Sequence, residues 1–108
     1  RGVMDPELND NIVDLGMVAK VRPALVISIP SNGVNERRLT TIVPHTTSVR
    51  GSNFEVISDV RFLKSGAFDT QNLMTIPTVK TIRRLGRLPD DQMASVEKTL
   101  KRWLGLRS

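Results

Sequence analysis

The chain has no cysteine, no tyrosine and a single histidine in 108 residues. Disulfides and thiolate metal sites are therefore excluded, and one imidazole does not make a histidine-built metal centre. No metal and no other cofactor is expected. Three phenylalanines and one tryptophan are too few for the row of aromatic platforms on which typical single-strand binders stack successive bases. No apolar run approaches the ~20 residues needed to cross a bilayer. The first residues also lack the basic-then-apolar order of a secretory signal, so a cytoplasmic protein with no membrane partner is the expectation.

The sequence does hold a modest stock of apolar residues and an uneven charge. Hydrophobic residues make up 39% of it, and a chain of this length buries roughly two thirds of the surface it exposes when unfolded. Residues 1–108 are expected to form one domain, with part of the apolar surface left for a homodimer contact. The net charge of +5 comes from the second half: residues 1–60 carry 6 basic and 7 acidic side chains, residues 61–108 carry 10 and 4. Such imbalance suits a polyanionic partner, either nucleic acid or an acidic protein, although lysine and arginine also serve simply to solubilise a helix.

Residues 1–11 form an acidic, turn-like segment with Asp5-Pro6 and Asn9-Asp10-Asn11 as breakers. A short first strand is expected at residues 11–15, followed by a loop over 16–20. Residues 24–29, 39–44, 54–57, 73–76 and 79–82 read as further strands, bounded by turn-forming residues. Pro77 belongs at a bend or edge, because proline cannot donate to a ladder, and residues 63–72 read as irregular. The C-terminal segment carries the clearest helix pattern. Pro89 suits its first position, Asp90 and Asp91 its positive end, Lys98, Lys101 and Arg102 its negative end, and Gly105 its stop. Met93, Val96, Leu100, Trp103 and Leu104 then share one apolar face, for the core or for a dimer contact. Several short strands with one terminal helix predict a mainly β fold, a small barrel-like or sandwich domain.

The chemistry is concentrated in Val21-Arg22-Pro23-Ala24-Leu25-Val26-Ile27-Ser28 and Thr41-Ile42-Val43-Pro44-His45-Thr46-Thr47. Each is an apolar run of the kind buried on both faces, with polar groups at one end. Side by side, they bring guanidinium, imidazole and hydroxyl to one spot, a set that can grip and process a phosphodiester. Arg22 offers a planar, permanently charged fork that matches phosphate oxygens, and Pro23 stiffens the backbone presenting it. The plainer alternative is an ion pair with Asp14 or Glu36. Thr47 can donate to a phosphate oxygen. Alternation puts Thr46 on the opposite face, so one of the two threonines is expected to reach substrate. His45, two residues before Thr47, shares its face in a regular strand and titrates near neutrality. It is a candidate proton carrier or a hydrogen-bonded structural residue. Lys64, Lys80, Arg83, Arg84 and Arg87 are candidates for tracking phosphates, or for facing water.

These two segments, with Phe62-Leu63-Lys64-Ser65-Gly66-Ala67-Phe68-Asp69 and Arg83-Arg84-Leu85-Gly86-Arg87-Leu88 before the final helix, resemble the MazF/PemK toxins of type II toxin–antitoxin systems in the family's order over residues 12–106. The resemblance implies a small SH3-like, PemK-type β-barrel acting as a homodimer and cleaving single-stranded RNA without a metal, and an acidic antitoxin protein that competes for its basic groove. It puts Arg22 on the catalytic Arg-Pro position, for phosphate clamping and proton transfer, and Thr47 on the catalytic threonine. His45 is added to the catalytic set from its place on the strand, and Lys20, Thr46, Lys64, Lys80 and Arg83 are expected to hold RNA. Residues 3–16 separately resemble the N-terminal signature of a MIP18-like iron–sulfur assembly domain. Rival readings are a non-catalytic protein-binding toxin, as in gyrase inhibitors related to this family, an iron–sulfur assembly module, and an inactive toxin scaffold.

Overall fold

The computed structural model describes residues 11–16, 21–30 and 35–107. Residues 1–10, 17–20, 31–34 and 108 fall outside the described residues, and with them most of the acidic N-terminal stretch and of the loop expected over 16–20. The elements run β1 (Asn11–Gly16), β2 (Val21–Val26), β3 (Leu39–Thr46), β4 (Glu55–Ile57), β5 (Ala67–Asp69), β6 (Met74–Pro77), β7 (Thr81–Arg87) and the helix α1 (Asp90–Leu104). Short 3₁₀ turns at Thr70–Asn72 and Thr78–Lys80 lie on either side of β6.

All strands pair antiparallel in a sheet of order β4-β5-β3-β2-β1-β7, with β6 also paired to β3. The fold is mainly β with a C-terminal helix, as the sequence implies, but the sheet does not close into a barrel: β4 and β7 end it at opposite edges. The first strand is fully paired despite its short length, because β2 takes one edge and β7 the other.

Strand ends differ from the sequence reading for identifiable reasons. Strand β2 starts at Val21 because β1 supplies partners for Val21 and Arg22, while its pairing with β3 begins at Ala24. It stops at Val26, after which Ile27 N–H donates to Thr41 O and Ser28 Oγ accepts from Thr41 N–H. The Ala67–Asp69 strand inside the stretch read as irregular exists because β3 and β4 take its two edges. Pro77 ends the edge strand β6 opposite Leu39, where no ladder donor is asked of it. The seven-residue β7 hides from periodicity because its register shifts twice against β1, skipping Ile82 and Leu85.

Alternation sorts the apolar residues onto two faces. Ile12, Leu25 and Val43 form one register row across β1, β2 and β3. They meet Phe68, Leu88, Met93, Val96 and Leu100 in the core between sheet and helix. On the reverse face Val13, Leu15, Ala24, Val26 and Ile42 cluster with Ile76 of β6. The helix starts from Pro89 as cap, places Asp90 and Asp91 in its first turn, and stops at Gly105, whose φ of 69° is the left-handed region that favours glycine. Its apolar face splits in two. Met93, Val96 and Leu100 are buried, whereas Trp103 and Leu104 extend past the core and stay 40% and 46% exposed. Trp103 packs on the Phe54 ring, 5.2 Å between centroids, and Arg102 caps that ring at 5.7 Å.

Gly66, just before β5, approaches the Thr46 carbonyl so closely that an added Cβ would be driven into it, with His45 Cε1 only 2.9 Å away. Gly16 has ordinary clearance of 3.5 Å. The Gly66→Ala variant is therefore expected to lose about 2–3 kcal/mol in urea unfolding, while Gly16→Ala stays within about 0.5 kcal/mol of the parent.

Candidate functional site

Two residues beyond the Ile12–Leu25–Val43 row, the same face of the sheet turns polar. Asp14 sits opposite Pro23 on β2 and opposite Arg83 on β7, and His45 follows Val43 by one alternation step on β3. These residues line an open cleft of about 490 Å³. Val21, Arg22 and Thr47 line it from the strand ends, β7 adds Leu85, and Phe62, Leu63 and Lys64 come from the segment between β4 and β5. The cleft thus begins where the helix-covered core stops.

Among the described residues, its electrostatics are set by three cations, Arg22, Lys64 and Arg83, facing one lining carboxylate, Asp14. That carboxylate is already engaged: Arg83 donates to its Oδ2 from Nε at 3.1 Å and from Nη2 at 2.8 Å. The Asp14 side chain is 10% exposed and Arg83 70% exposed, so a buried acid holds a largely solvated base in place. The guanidinium of Arg22 makes no ion pair with any described residue, Asp14 being taken by Arg83. Charge is left over for an anion.

His45 is 5% exposed, and burial pushes its pKa below the ordinary value. Its Nε2 lies 2.8 Å from Ser58 Oγ, and that hydroxyl donates its one proton to Gly66 O at 3.2 Å. The hydroxyl must then accept from the ring, so Nε2 carries the hydrogen and Nδ1 is left as the lone-pair nitrogen. Phe68 meets the ring edge-on at 5.3 Å.

Of the residues singled out from sequence, Arg22, His45, Thr47, Lys64 and Arg83 all line the cleft. Thr46 does not: its hydroxyl accepts from Ser48 N–H at 3.0 Å, in keeping with alternation. Lys80 sits on the 3₁₀ turn before β7 and is not among the lining residues. Arg84 is turned to the reverse face, where Nε donates to Asn11 Oδ1 at 2.8 Å, and Arg87 pairs with Asp90. Lys20 falls outside the described residues. Sequence reasoning missed Ser58 and Phe62 as site residues and saw Asp14 only as a partner for Arg22. Phe62 carried a signal as an aromatic within the basic second half; Ser58 carried none.

The family model described as PemK-like, MazF-like toxin of type II toxin–antitoxin system matches residues 11–104. Because that match starts at Asn11, it lends no support to the iron–sulfur likeness of residues 3–16. Among curated proteins no significant match exists. A MazE–MazF complex from Deinococcus radiodurans is similar at 27% identity and a TM-score of 0.81, over 96% of this chain and 99% of that one. The Mycobacterium tuberculosis toxin MazF-mt6 is similar at 26% identity and a TM-score of 0.75, over 91% and 99%. An endoribonuclease solved with its cognate antitoxin from a mycobacterial species shares the fold, at 19% identity and a TM-score of 0.76 over 97% and 99%.

The buried ring makes stability depend on acid. With its folded pKa lowered, His45 is neutral in both states above about pH 6.5, the ordinary value, and adds no slope there. As pH falls below that, the unfolded chain takes the proton first, so folded stability declines until the folded pKa is reached. Urea unfolding between about pH 5 and 8 should show this decline in the parent and a flatter profile in His45→Gln. Equal slopes would contradict the burial of the ring.

Proposed function

The chain belongs to the PemK-like, MazF-like toxins of type II toxin–antitoxin systems, a family of endoribonucleases, and from that we propose that it cleaves single-stranded RNA without a metal ion, with Arg22 and Thr47 at the reacting phosphate. The observation that carries this reading is the meeting of Arg22, Thr47, Lys64 and Arg83 on one cleft where, among the described residues, the single lining carboxylate is already bound by Arg83. Such a donor set suits a phosphodiester, and among the described residues no acid cluster is present to recruit a cation.

In the reaction a 2′-hydroxyl attacks the adjacent phosphorus. The O2′–P bond forms, the P–O5′ bond breaks, and the products are a cyclic phosphate and a free 5′-hydroxyl. The proton lost from O2′ is balanced by the one gained at O5′. Negative charge accumulates on the nonbridging oxygens, where a preplaced guanidinium and hydroxyl donor stabilise it without reorganisation. Arg22 supplies the charge, and a delocalised, permanently charged guanidinium is a durable clamp and a poor base. Thr47 supplies a neutral donor. His45 has Nε2–H committed to Ser58, leaving Nδ1 as its one route to proton transfer. The Ser58 bond supports a positioning role, holding the segment that brings Lys64 to the cleft.

The partners in this reading are single-stranded RNA, an acidic antitoxin segment drawn to the same cations, and a second copy of the chain. The similar Deinococcus protein was solved with MazE, and apolar side chains such as Ile29, Val79 and Ile82 remain exposed for a homodimer. Among the described residues no helix is long and apolar enough to cross a membrane. The proposed site of action is the cytoplasm.

Purified protein incubated with a single-stranded RNA in EDTA is expected to cut it. Arg22→Ala should lower kcat/KM by about 10²–10³-fold, the loss typical of removing one charge-stabilising donor, and Thr47→Ala should lower it less. Intact RNA in EDTA, with growth still blocked in cells, would favour a protein-binding toxin instead. The Lys64→Ala variant should weaken binding alike for all sequences and reduce the salt slope of log affinity by about one. An unchanged slope would remove Lys64 from the phosphate contacts.

A further inference from the structure

Four aromatic side chains occur in the chain, and three are committed elsewhere. Phe68 is buried in the core, and Phe54 and Trp103 pack on each other beside Arg102. Phe62 is different. It is 42% exposed and lines the cleft together with Arg22 and Lys64.

Its ring is held flat. From the point where a Cβ would stand on Gly86, the ring atoms Cζ, Cε2 and Cε1 lie 2.5, 2.6 and 2.9 Å away. Three such similar distances place that point over the ring face, so Gly86 of β7 leaves the space that Phe62 covers. With one face resting on the strand, the exposed area belongs to the other face and the edge.

The supporting segment is fixed at both ends. Ser58 N–H and Ser58 Oγ both donate to Gly66 O, at 3.0 and 3.2 Å, and His45 donates to Ser58 Oγ, closing the neck of the loop. Asp59 exchanges two hydrogen bonds with the Gln92 side chain on α1, at 3.1 and 2.9 Å. Val60 and Leu63 pack against the core on either side of the ring's own position.

We propose that Phe62 is a stacking platform for one nucleobase of the bound strand, on a nucleotide next to the phosphate held by Arg22 and Lys64. This rests on the RNA-cleavage reading above and deepens it by naming what receives a base. Every nucleobase has a π face, and stacking on an aromatic ring is among the stronger sequence-tolerant contacts to a single strand. A ring already backed by Gly86 and a closed loop loses little freedom on binding. The nearby cations favour a strand whose anionic groups recur at each nucleotide.

The test uses the full chain and a labelled single strand made uncleavable by 2′-deoxy substitution, read by fluorescence anisotropy. Phe62→Leu is expected to weaken binding about 5- to 100-fold, the span that one base–aromatic stack accounts for. Phe62→Trp should restore it. An abasic substitution moved along the strand should, at one position, make the parent and Phe62→Leu bind equally. The same two proteins are compared at every abasic position, and reduced stability of the variant would weaken all strands alike, so it does not imitate a loss of the difference at one position.

Equal binding of the intact strand by the parent and Phe62→Leu would overturn the proposal. So would a penalty that persists at every abasic position, the result expected if the ring serves the fold or a protein partner. If the parent still cuts natural RNA in either case, the stacking proposal alone fails. A parent that neither binds the strand nor cuts RNA overturns both readings.

Discussion

The site depends on β1 being hydrogen-bonded along both edges. Its six residues join β2 to β7, and five of them are buried. Burying Ile12, Val13 and Leu15 contributes on the order of 1.5–3 kcal/mol per side chain, enough to fix the register of a short strand. Once the register is fixed, Asp14 faces Arg83 and lies beside Pro23. A one-residue slip would send Asp14 to the reverse face and put Val13 or Leu15 in the cleft.

Core and site are consecutive rows of one surface. The row covered by α1 is apolar, and the next one, past the helix's reach, carries a carboxylate and an imidazole. Buried polar groups destabilise unless they are hydrogen-bonded, and both have partners: Asp14 has Arg83, and His45 has Ser58. Among the described residues no buried side-chain polar atom is left without one. Against that satisfied background, the Arg22 guanidinium makes no ion pair with any described residue, which is what its proposed role at a phosphate asks of it.

Much of this was legible in the residues themselves. The two apolar runs with polar ends are adjacent antiparallel strands, and alternation correctly separated Thr46 from Thr47. The helix limits followed from Pro89, the paired aspartates and Gly105. Illegible were features created by pairing between distant segments. The strand at 67–69 is too short to show periodicity and exists because two neighbours claim its edges. The extent of β7 was hidden by its two register shifts, which break the alternation a reader relies on. For the same reason Arg83 and Arg84 looked equivalent, whereas they face opposite sides of the sheet. The open edges at β4 and β7 likewise have no local signature, which is why the expected barrel closure does not match the actual strand order.

The ion pair that completes the cleft floor ties together residues 69 positions apart. Contacts of such long separation form slowly during folding, because the intervening chain must first be brought into place. They also impose an order on biosynthesis. A ribosome must release the chain through β7 before Arg83 can meet Asp14. A product truncated before β7 leaves β1 with a bare edge and the groove without one wall. For a member of a family of endoribonucleases, a cleft that stays incomplete until β7 has emerged keeps the groove from forming while the strands before it are being made.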